Sequence, residues 1–354
     1  MRLRTILALT LSLAAVSATV PARAETPQAA LATSIEALRK HEERVTIIGE
    51  RLSAAAAAAG WCDPVPTLGW TLGDVASYPK QLRPLVRRHW QLPNTTTLFV
   101  SSIAPDGTAA QAGVIVGMGI ASIDGQVPVR YQGSTPTRRP LDLSERIVEA
   151  ALGRGPVAVE TVGSDGTTRR FELTGRPVCR SRFEVSAEDE EQAYADGSIV
   201  QVTAGMAEYT KDSDDQLAGV IAHEIAHNVL RHIPRQSEAG TPEDYRRHLR
   251  RYASLSRAME EEADRLAVWL LMAAGYDPAA PVAFWQRFGP GHDSAHPFGR
   301  LHDPWRERVA AVEDELALMR REKAANPDAR PALLERARPP SVAPASASVP
   351  QPNP

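Results

Sequence analysis

The clearest hydrophobic periodicity in the chain lies near its start, where apolar side chains recur every three or four positions. These side chains are Leu31, Ile35, Leu38, Val45, Ile48 and Leu52. This spacing places them on one face of a helix. Thr26 and Pro27 are typical of a helix start, and Gly60 is typical of a helix end. The pattern predicts one long amphipathic helix over residues 25–61, packed on the body of the protein.

The pattern changes between about Pro66 and Pro177 to short apolar and β-branched runs separated by glycine, proline and aspartate. The runs cover residues 97–103, 119–123, 157–162 and 170–173. Short runs of this type, bounded by turn residues, predict β-strands. We therefore expect a small, mainly β domain over residues 62–179.

Helical periodicity returns beyond Phe183, and the composition changes again near the end of the chain. Residues 326–354 are rich in proline, alanine and serine and have no periodicity. Segments of that composition cannot bury enough apolar surface to fold. We expect a mainly helical domain over residues 180–325, a disordered tail at 326–354 and an α+β fold overall.

The first 24 residues follow the secretory pattern. A basic start precedes an apolar run over residues 6–20, and the small residues Ala22 and Ala24 follow. The run is shorter than the roughly 20 apolar residues of a membrane span and contains polar side chains. We expect residues 1–24 to be a cleaved signal peptide, with an uncleaved anchor helix as the alternative. No later stretch is long or apolar enough to span a membrane, so the location predicted for the remaining chain is the periplasm or the cell exterior.

Charge and cysteine content narrow the possible partners. The 354 residues carry a formal net charge of -3 with a pI near 6.3. Such a balance creates no field that would gather nucleic acid. Cys62 and Cys179 are the two cysteines, and an even count in an exported chain predicts a disulfide between them. Two buried free thiols are the alternative.

A second helix pattern carries the candidate chemistry. Residues 213–216 form a capping box, and an apolar face follows at Leu217, Val220, Ile221, Ile225 and Val229. His223 and His227 are four residues apart, so both imidazoles project from one face and can bind one cation. Glu224 lies between them and can activate a water molecule without being a ligand, as in zinc proteases with the H-E-x-x-H pattern.

Catalytic zinc needs a third protein ligand and one open position. A metzincin would have glycine at position 230 and histidine at position 233, but the residues are Leu230 and Ile233. In a continuing helix, His232 falls outside the ligand face, which predicts a solvated side chain. The third ligand must therefore come from another element.

The helical pattern over residues 241–275 offers that ligand. Glu260 and Asp264 share one helix face, so Glu260 is the candidate ligand and Asp264 is placed to hydrogen-bond a ligand histidine. Glu261 and Glu262 point elsewhere and are expected to be solvated charges. A one-residue error in the choice of ligand remains an alternative.

These motifs together resemble the HtpX and CaaX prenyl protease-type (Ste-type) zinc metallopeptidases. The resemblance rests on the H-E-x-x-H helix, the Glu260-x-x-Ala263-Asp264 helix and the later Gly-Tyr-Asp-Pro at 275–278, and it covers residues 184–315. It implies a gluzincin peptidase with one Zn²⁺ per chain and polypeptide substrates. Residues 193–206 resemble the strand on which this family lays its substrate. The lack of spanning helices resembles the soluble periplasmic members.

The resemblance also implies a histidine and an arginine after the second helix. His302 and Arg308 match their spacing, so His302 is the candidate oxyanion stabiliser and Arg308 a supporting residue. Asp303 follows His302 where the family usually has proline, which leaves His296 as the alternative. A loop such as residues 289–301 is a candidate lid over the site.

Within the β region, residues 100–125 resemble a bacterial PDZ domain, although Met118 stands where such domains often have aspartate. The resemblance implies a groove between an edge strand and a helix near residues 143–152, where an extended peptide binds by strand addition. A PDZ-shaped spacer without a ligand is the alternative.

The sequence therefore predicts a zinc metalloendopeptidase that hydrolyses exported or misfolded envelope proteins. A peptide-binding or chaperone-like protein with a latent zinc site is the first alternative. A zinc-dependent cell-wall amidase is the second, although no cell-wall-binding repeat is present in the sequence.

Overall fold

The computed structural model describes residues 27–238, 245–292 and 304–337. Helices and β-sheets both occur in this part of the chain, so the α+β class is confirmed. No helix among the described residues has the length and apolar character needed to cross a membrane. The predicted signal peptide at 1–24 and the tail beyond residue 337 lie outside the described residues.

The first element is the long helix α1, Pro27–Ala58. Its predicted apolar face is buried, since Val45, Ile48 and Leu52 are at most 2% exposed. The chain turns at Gly60, whose φ of +68° lies in the left-handed region that glycine adopts without a Cβ clash. The helix and its glycine end agree with the sequence pattern.

The β region that follows α1 contains seven strands and three α-helices. The strands are β1 (Val65–Thr67), β2 (Trp70–Asp74), β3 (Leu98–Ile103), β4 (Gly119–Ile123), β5 (Val157–Val162), β6 (Thr168–Leu173) and β7 (Arg176–Val178). The helices are α2 (Arg83–His89), α3 (Thr108–Gln111) and α4 (Arg139–Leu152). Strands β2 to β6 form an antiparallel sheet in chain order, and β1 pairs with β7. This sheet and α4 enclose their own apolar core.

The mainly helical region begins with a small sheet. It is formed by β8 (Arg182–Ser186), β9 (Ala193–Ala195) and β10 (Ile199–Thr203), with β10 in the centre, parallel to β8 and antiparallel to β9. The helices are α5 (Ala204–Tyr209), α6 (Asp214–Val229), α7 (His232–Glu238), α8 (Tyr245–Ala274), α9 (Ala280–His292), α10 (Trp305–Ala325) and α11 (Leu333–Ala337). The predicted start of α8 at residues 241–242 lies outside the described residues.

Helix α1 connects the two regions. It packs against β3 and β7 of the β region and against α6, α8 and β8 of the helical region. Cys62, just after α1, forms a disulfide with Cys179, just after β7, which confirms the predicted pair. The backbone N–H of Cys179 also donates to the carbonyl of Ser53 in α1 at 3.0 Å.

The core of the helical region forms where α6, α8 and α10 meet. Trp269 of α8 is fully buried, and its indole N–H donates to Glu315 of α10 at 2.7 Å. Arg265 donates to the other oxygen of the same carboxylate at 2.7 Å. These contacts fix α10 against α8, which determines where the start of α10 reaches the candidate site.

The predicted disorder from residue 326 is wrong for residues 326–337. Leu333 and Leu334 of α11 are 4% and 6% exposed and belong to the core of the helical region. Arg330 also donates to the carbonyl of Gly60 at 2.7 Å. The proline- and alanine-rich composition of the segment predicts disorder, but the burial of its two leucines stabilises the folded segment.

Candidate metal centre

The candidate metal-binding histidines project from α6. The helix begins as predicted, with Oγ of Ser213 accepting a hydrogen bond from the backbone N–H of Gln216 at 3.2 Å. One face of the helix is fully buried at Leu217, Ile221 and Ile225. Because this face fixes the rotation of α6, His223 and His227 lie one turn apart on the side that faces α8.

Glu260 of α8 faces both histidines. The Nε2 atoms of His223 and His227 are 3.1 Å apart. The two carboxylate oxygens of Glu260 lie 3.3 Å from Nε2 of His223 and 3.5 Å from Nε2 of His227. Among the described residues, these three side chains form the one group of at least three His, Cys, Asp or Glu whose ligand atoms lie within 4.8 Å of one another.

The size of this triangle is compatible with zinc. Zinc binds imidazole nitrogen and carboxylate oxygen at about 2.0–2.1 Å, which at tetrahedral angles separates the ligand atoms by about 3.3 Å. The two nitrogens are 3.1 Å apart, and each lies 3.3 or 3.5 Å from a different oxygen of Glu260, so the separations are close to that value. Two imidazoles and one carboxylate are also a donor set that catalytic zinc uses, with the fourth position left for water or substrate.

Asp264 contacts the other nitrogen of His223. Its Oδ1 lies 2.9 Å from Nδ1 of His223. Arg308, at the start of α10, donates to both oxygens of Asp264 at 2.6 Å. Its guanidinium lies 3.9 Å from the ring centre of Trp285 of α9. The contact expected between Asp264 and a ligand histidine is present, and Arg308 joins it from a third helix.

The charges around His223 favour a cation at this point. Burial alone would lower the pKa of His223, but Asp264 and Glu260 raise it to about 10. Burial raises the pKa of Asp264, but Arg308 and His223 outweigh this effect and hold it below its usual range. The two carboxylates therefore stabilise positive charge at the imidazole, and a bound zinc ion would supply positive charge at the same point.

Glu224 is partly buried beside the first histidine. Burial raises the pKa of its carboxyl to about 7, with Glu260 acting in the same direction and His223 opposing it. A carboxyl with a pKa near the working pH can both accept and return a proton. The electrostatic environment of Glu224 is therefore compatible with the predicted acid–base role.

The prediction that His232 is solvated is wrong. His232 is 3% exposed, and its Nδ1 lies 2.8 Å from Nδ1 of His227. Its Nε2 lies 3.2 Å from Glu262, which also accepts a hydrogen bond from Arg235 at 2.7 Å. Glu262, expected to be a solvated charge, is only 12% exposed in this cluster. Burial lowers the pKa of His232 and favours the neutral imidazole.

The backbone at Arg231 explains why helical phase failed to place His232. Helix α6 ends at Val229, and Arg231 adopts a φ of +55° before α7 begins at His232. This left-handed residue turns the chain back toward α6 and points His232 at His227. Arginine at position 231 is not a residue type that indicates a left-handed turn. The signal that the sequence does offer is Pro234, which lies three residues later, in the first turn of α7.

Strand β9 lies at the outer edge of its sheet, next to α6. It pairs with β10 on one side, and Tyr194 at its centre is 49% exposed. The turn after β9 is attached to α6, because the backbone N–H of Gly197 donates to the side chain of Asn228 at 2.8 Å. Residues 193–195 thus have the edge position that a substrate-binding strand requires, although this role stays a prediction.

Several predicted residues lie outside the described part of the chain. His302 and its alternative His296 are among them, so the choice of oxyanion stabiliser stays a prediction. Most of the candidate lid at residues 289–301 is outside as well. Its first residues belong to α9, where His292 lies 3.3 Å from Glu191.

The α+β fold and the convergent His-His-Glu group define a candidate metal-dependent hydrolase. The family model for peptidase family M48 matches residues 168–241 of the chain. No curated protein matches the chain. The matched stretch contains His223, Glu224 and His227 and ends before Glu260. The match supports assignment to family M48, which is a family of zinc metallopeptidases, and therefore supports protease activity.

Proposed function

We propose that this chain is a zinc-dependent metalloendopeptidase that hydrolyses exported or misfolded envelope proteins. The observation that carries the proposal is the triangle formed by His223, His227 and Glu260, with Glu224 on the same helix turn. The family match supports the same chemistry without reference to Glu260, because the matched residues include α6 and end before that side chain.

In the proposed reaction, His223, His227 and Glu260 hold the metal. Bound zinc supplies a Lewis acid that polarises the scissile carbonyl and makes water a better nucleophile. Glu224 accepts the proton of the attacking water and delivers it to the leaving amine. His302, which lies outside the described residues, is proposed to donate a hydrogen bond to the oxyanion, a contact usually worth about 3–4 kcal/mol in the transition state.

The substrate is proposed to bind as an extended strand along the outer edge of β9. An edge strand offers unpaired backbone groups that recognise any polypeptide without regard to its side chains. The attachment of the β9–β10 turn to Asn228, one residue after His227, supports this arrangement because it couples the strand to the ligand-bearing helix.

A peptide-binding role for the β region and a periplasmic or secreted location complete the proposal. The antiparallel sheet with α4 packed on it supports a PDZ-like role, in which this region selects peptides for the metal centre. The Cys62–Cys179 disulfide supports the location, because disulfides persist in oxidising compartments.

Casein hydrolysis by the purified chain tests this function. The protein, without the predicted signal peptide, is treated with a chelator, dialysed and then titrated with Zn²⁺. We expect hydrolysis to be lost on chelation and restored at one zinc per chain. Hydrolysis that persists after complete zinc removal would contradict the proposal.

Parallel assays separate the two alternatives. Suppression of aggregation of an unfolded protein, without cleavage at any zinc concentration, would favour the chaperone-like function. Zinc-dependent release of peptides from peptidoglycan, with intact casein, would favour the amidase.

A further inference from the structure

A second line of polar groups extends behind His227, on the side away from the candidate metal position, and His232 at its centre is buried. Nδ1 of His227 lies 2.8 Å from Nδ1 of His232, and Nε2 of His232 lies 3.2 Å from Glu262. Arg235 of α7 donates to the same carboxylate oxygen at 2.7 Å. The line therefore runs from a candidate ligand to a carboxylate held by an arginine.

The protonation pattern of neutral imidazole determines which group donates and which accepts at each hydrogen bond of this line. Nε2 of His227 faces His223 and Glu260, so metal binding uses its lone pair and leaves the proton of the neutral ring on Nδ1. This N–H donates to Nδ1 of His232, which must then carry its own proton on Nε2. That second N–H points at the carboxylate of Glu262. Each donor along the line thus meets an acceptor.

Glu262 is suited to end the line as an ionised acceptor. Its carboxylate is paired with Arg235, whose guanidinium donates to it at 2.7 Å. An ionised carboxylate accepts a stronger hydrogen bond from an imidazole N–H than a neutral group does. The position of His232 is thereby fixed from both of its ring nitrogens.

We propose that His232, oriented by Glu262 and Arg235, is a positioning residue that fixes the ring of His227 for metal binding. The inference rests on the proposed zinc site. It assigns to His227 a support made of histidine and carboxylate, whereas the support of His223 is the direct contact with Asp264.

Zinc affinity is the readout that tests the inference, measured by competition with a chromophoric chelator. His232→Leu keeps a similar volume but removes the acceptor, and we expect zinc binding to weaken about 10- to 100-fold. His232→Asn returns an acceptor near the position of Nδ1 and should bind zinc within about threefold of the wild type. Zinc affinity that is weakened in His232→Leu but close to the wild type in His232→Asn would identify a hydrogen-bonding role. A packing role would instead favour the Leu variant, whose side chain is apolar.

Two matched control variants accompany these changes. His41→Leu alters another largely buried histidine, which lies on α1 at 3.9 Å from Glu208, and should leave zinc affinity unchanged. Glu262→Gln should weaken binding about three- to tenfold, because the amide oxygen still accepts but carries no charge. The neighbouring change Glu261→Gln, on an exposed side chain, should have no effect.

The outcomes separate this inference from the proposed function. Failure of the wild type to bind zinc would overturn the proposed function. Tight binding by the wild type that is lost in His223→Ala but retained in His232→Leu would overturn only the role of His232. Circular dichroism of the metal-free proteins checks that each variant folds. If His232→Leu does not fold, the comparison of Glu262→Gln with Glu261→Gln tests the inference instead. Equal zinc affinities in these two variants would overturn it.

Discussion

The two candidate ligand histidines are supported in different ways. His223 contacts Asp264, whose charge is paired with Arg308 at the junction of α8, α9 and α10. His227 contacts His232 at the start of the short helix α7. His232 contacts Glu262 of α8, which is paired with the more exposed Arg235 of α7. The first support is part of the folded core, whereas the second depends on a local turn. The comparison suggests that one side of the site is coupled to global stability and the other mainly to ligand geometry.

The largest expected difference is in the free energy of unfolding of the metal-free protein. Asp264→Ala leaves Arg308 buried at 8% exposure without its main partner, which typically costs about 3–5 kcal/mol. Glu262→Ala should cost only about 1–2 kcal/mol, because Arg235 is 28% exposed and can regain water. Chemical denaturation of both variants measures the difference. Equal losses of unfolding free energy in the two variants would contradict the proposed difference between the supports of His223 and His227.

Trp285 offers a smaller test on the His223 side. Its ring covers the guanidinium of Arg308 at 3.9 Å, and a desolvated contact of this kind contributes about 2 kcal/mol. Trp285→Leu should therefore lower the unfolding free energy by about 2 kcal/mol or somewhat more. Trp285→Phe keeps an aromatic face and should lose about half as much. If Leu and Phe destabilise equally, the cation–π contact makes no measurable contribution.

Arg231 provides the smallest test, on the His227 side. Its φ of +55° suits glycine, so Arg231→Gly should change the unfolding free energy by less than about 1 kcal/mol. Arg231→Val places a β-branched side chain there and should cost about 1–2 kcal/mol. We also expect Val, but not Gly, to weaken zinc binding, because the turn positions His232. Unchanged affinity in the Val variant would show that the turn tolerates distortion without moving His232.

Regular periodicity explains what the sequence predicts well. The faces of α1 and α6, the main strands of the β region and the Glu260–Asp264 spacing follow from residues three, four or two positions apart. The structure places Glu260 and Asp264 on the predicted face, toward His223. Their proposed roles as ligand and support stay predictions until zinc binding is measured.

The sequence pattern fails where the chain departs from regular geometry. Extending α6 through Arg231 misplaces His232, because the left-handed backbone of Arg231 is not indicated by its residue type. Pro234, three residues later, is the sequence signal of the break. Helical phase also predicts a solvated Glu262, because its partner Arg235 lies on α7, which helical phase does not anticipate. Leu333 and Leu334 are too few to produce a periodic pattern, yet they complete the core. Each error concerns a contact created by tertiary structure.

The most direct test of the central claim is the peptidase activity of Glu224→Gln, measured together with its zinc content. The change keeps the size of the side chain but removes the proton acceptor, and Glu224 is not one of the proposed ligands. We expect the variant to bind one zinc per chain, as the wild type does, and to lose casein hydrolysis by a factor of about 100 or more. Full activity in a zinc-loaded Glu224→Gln protein would contradict the account.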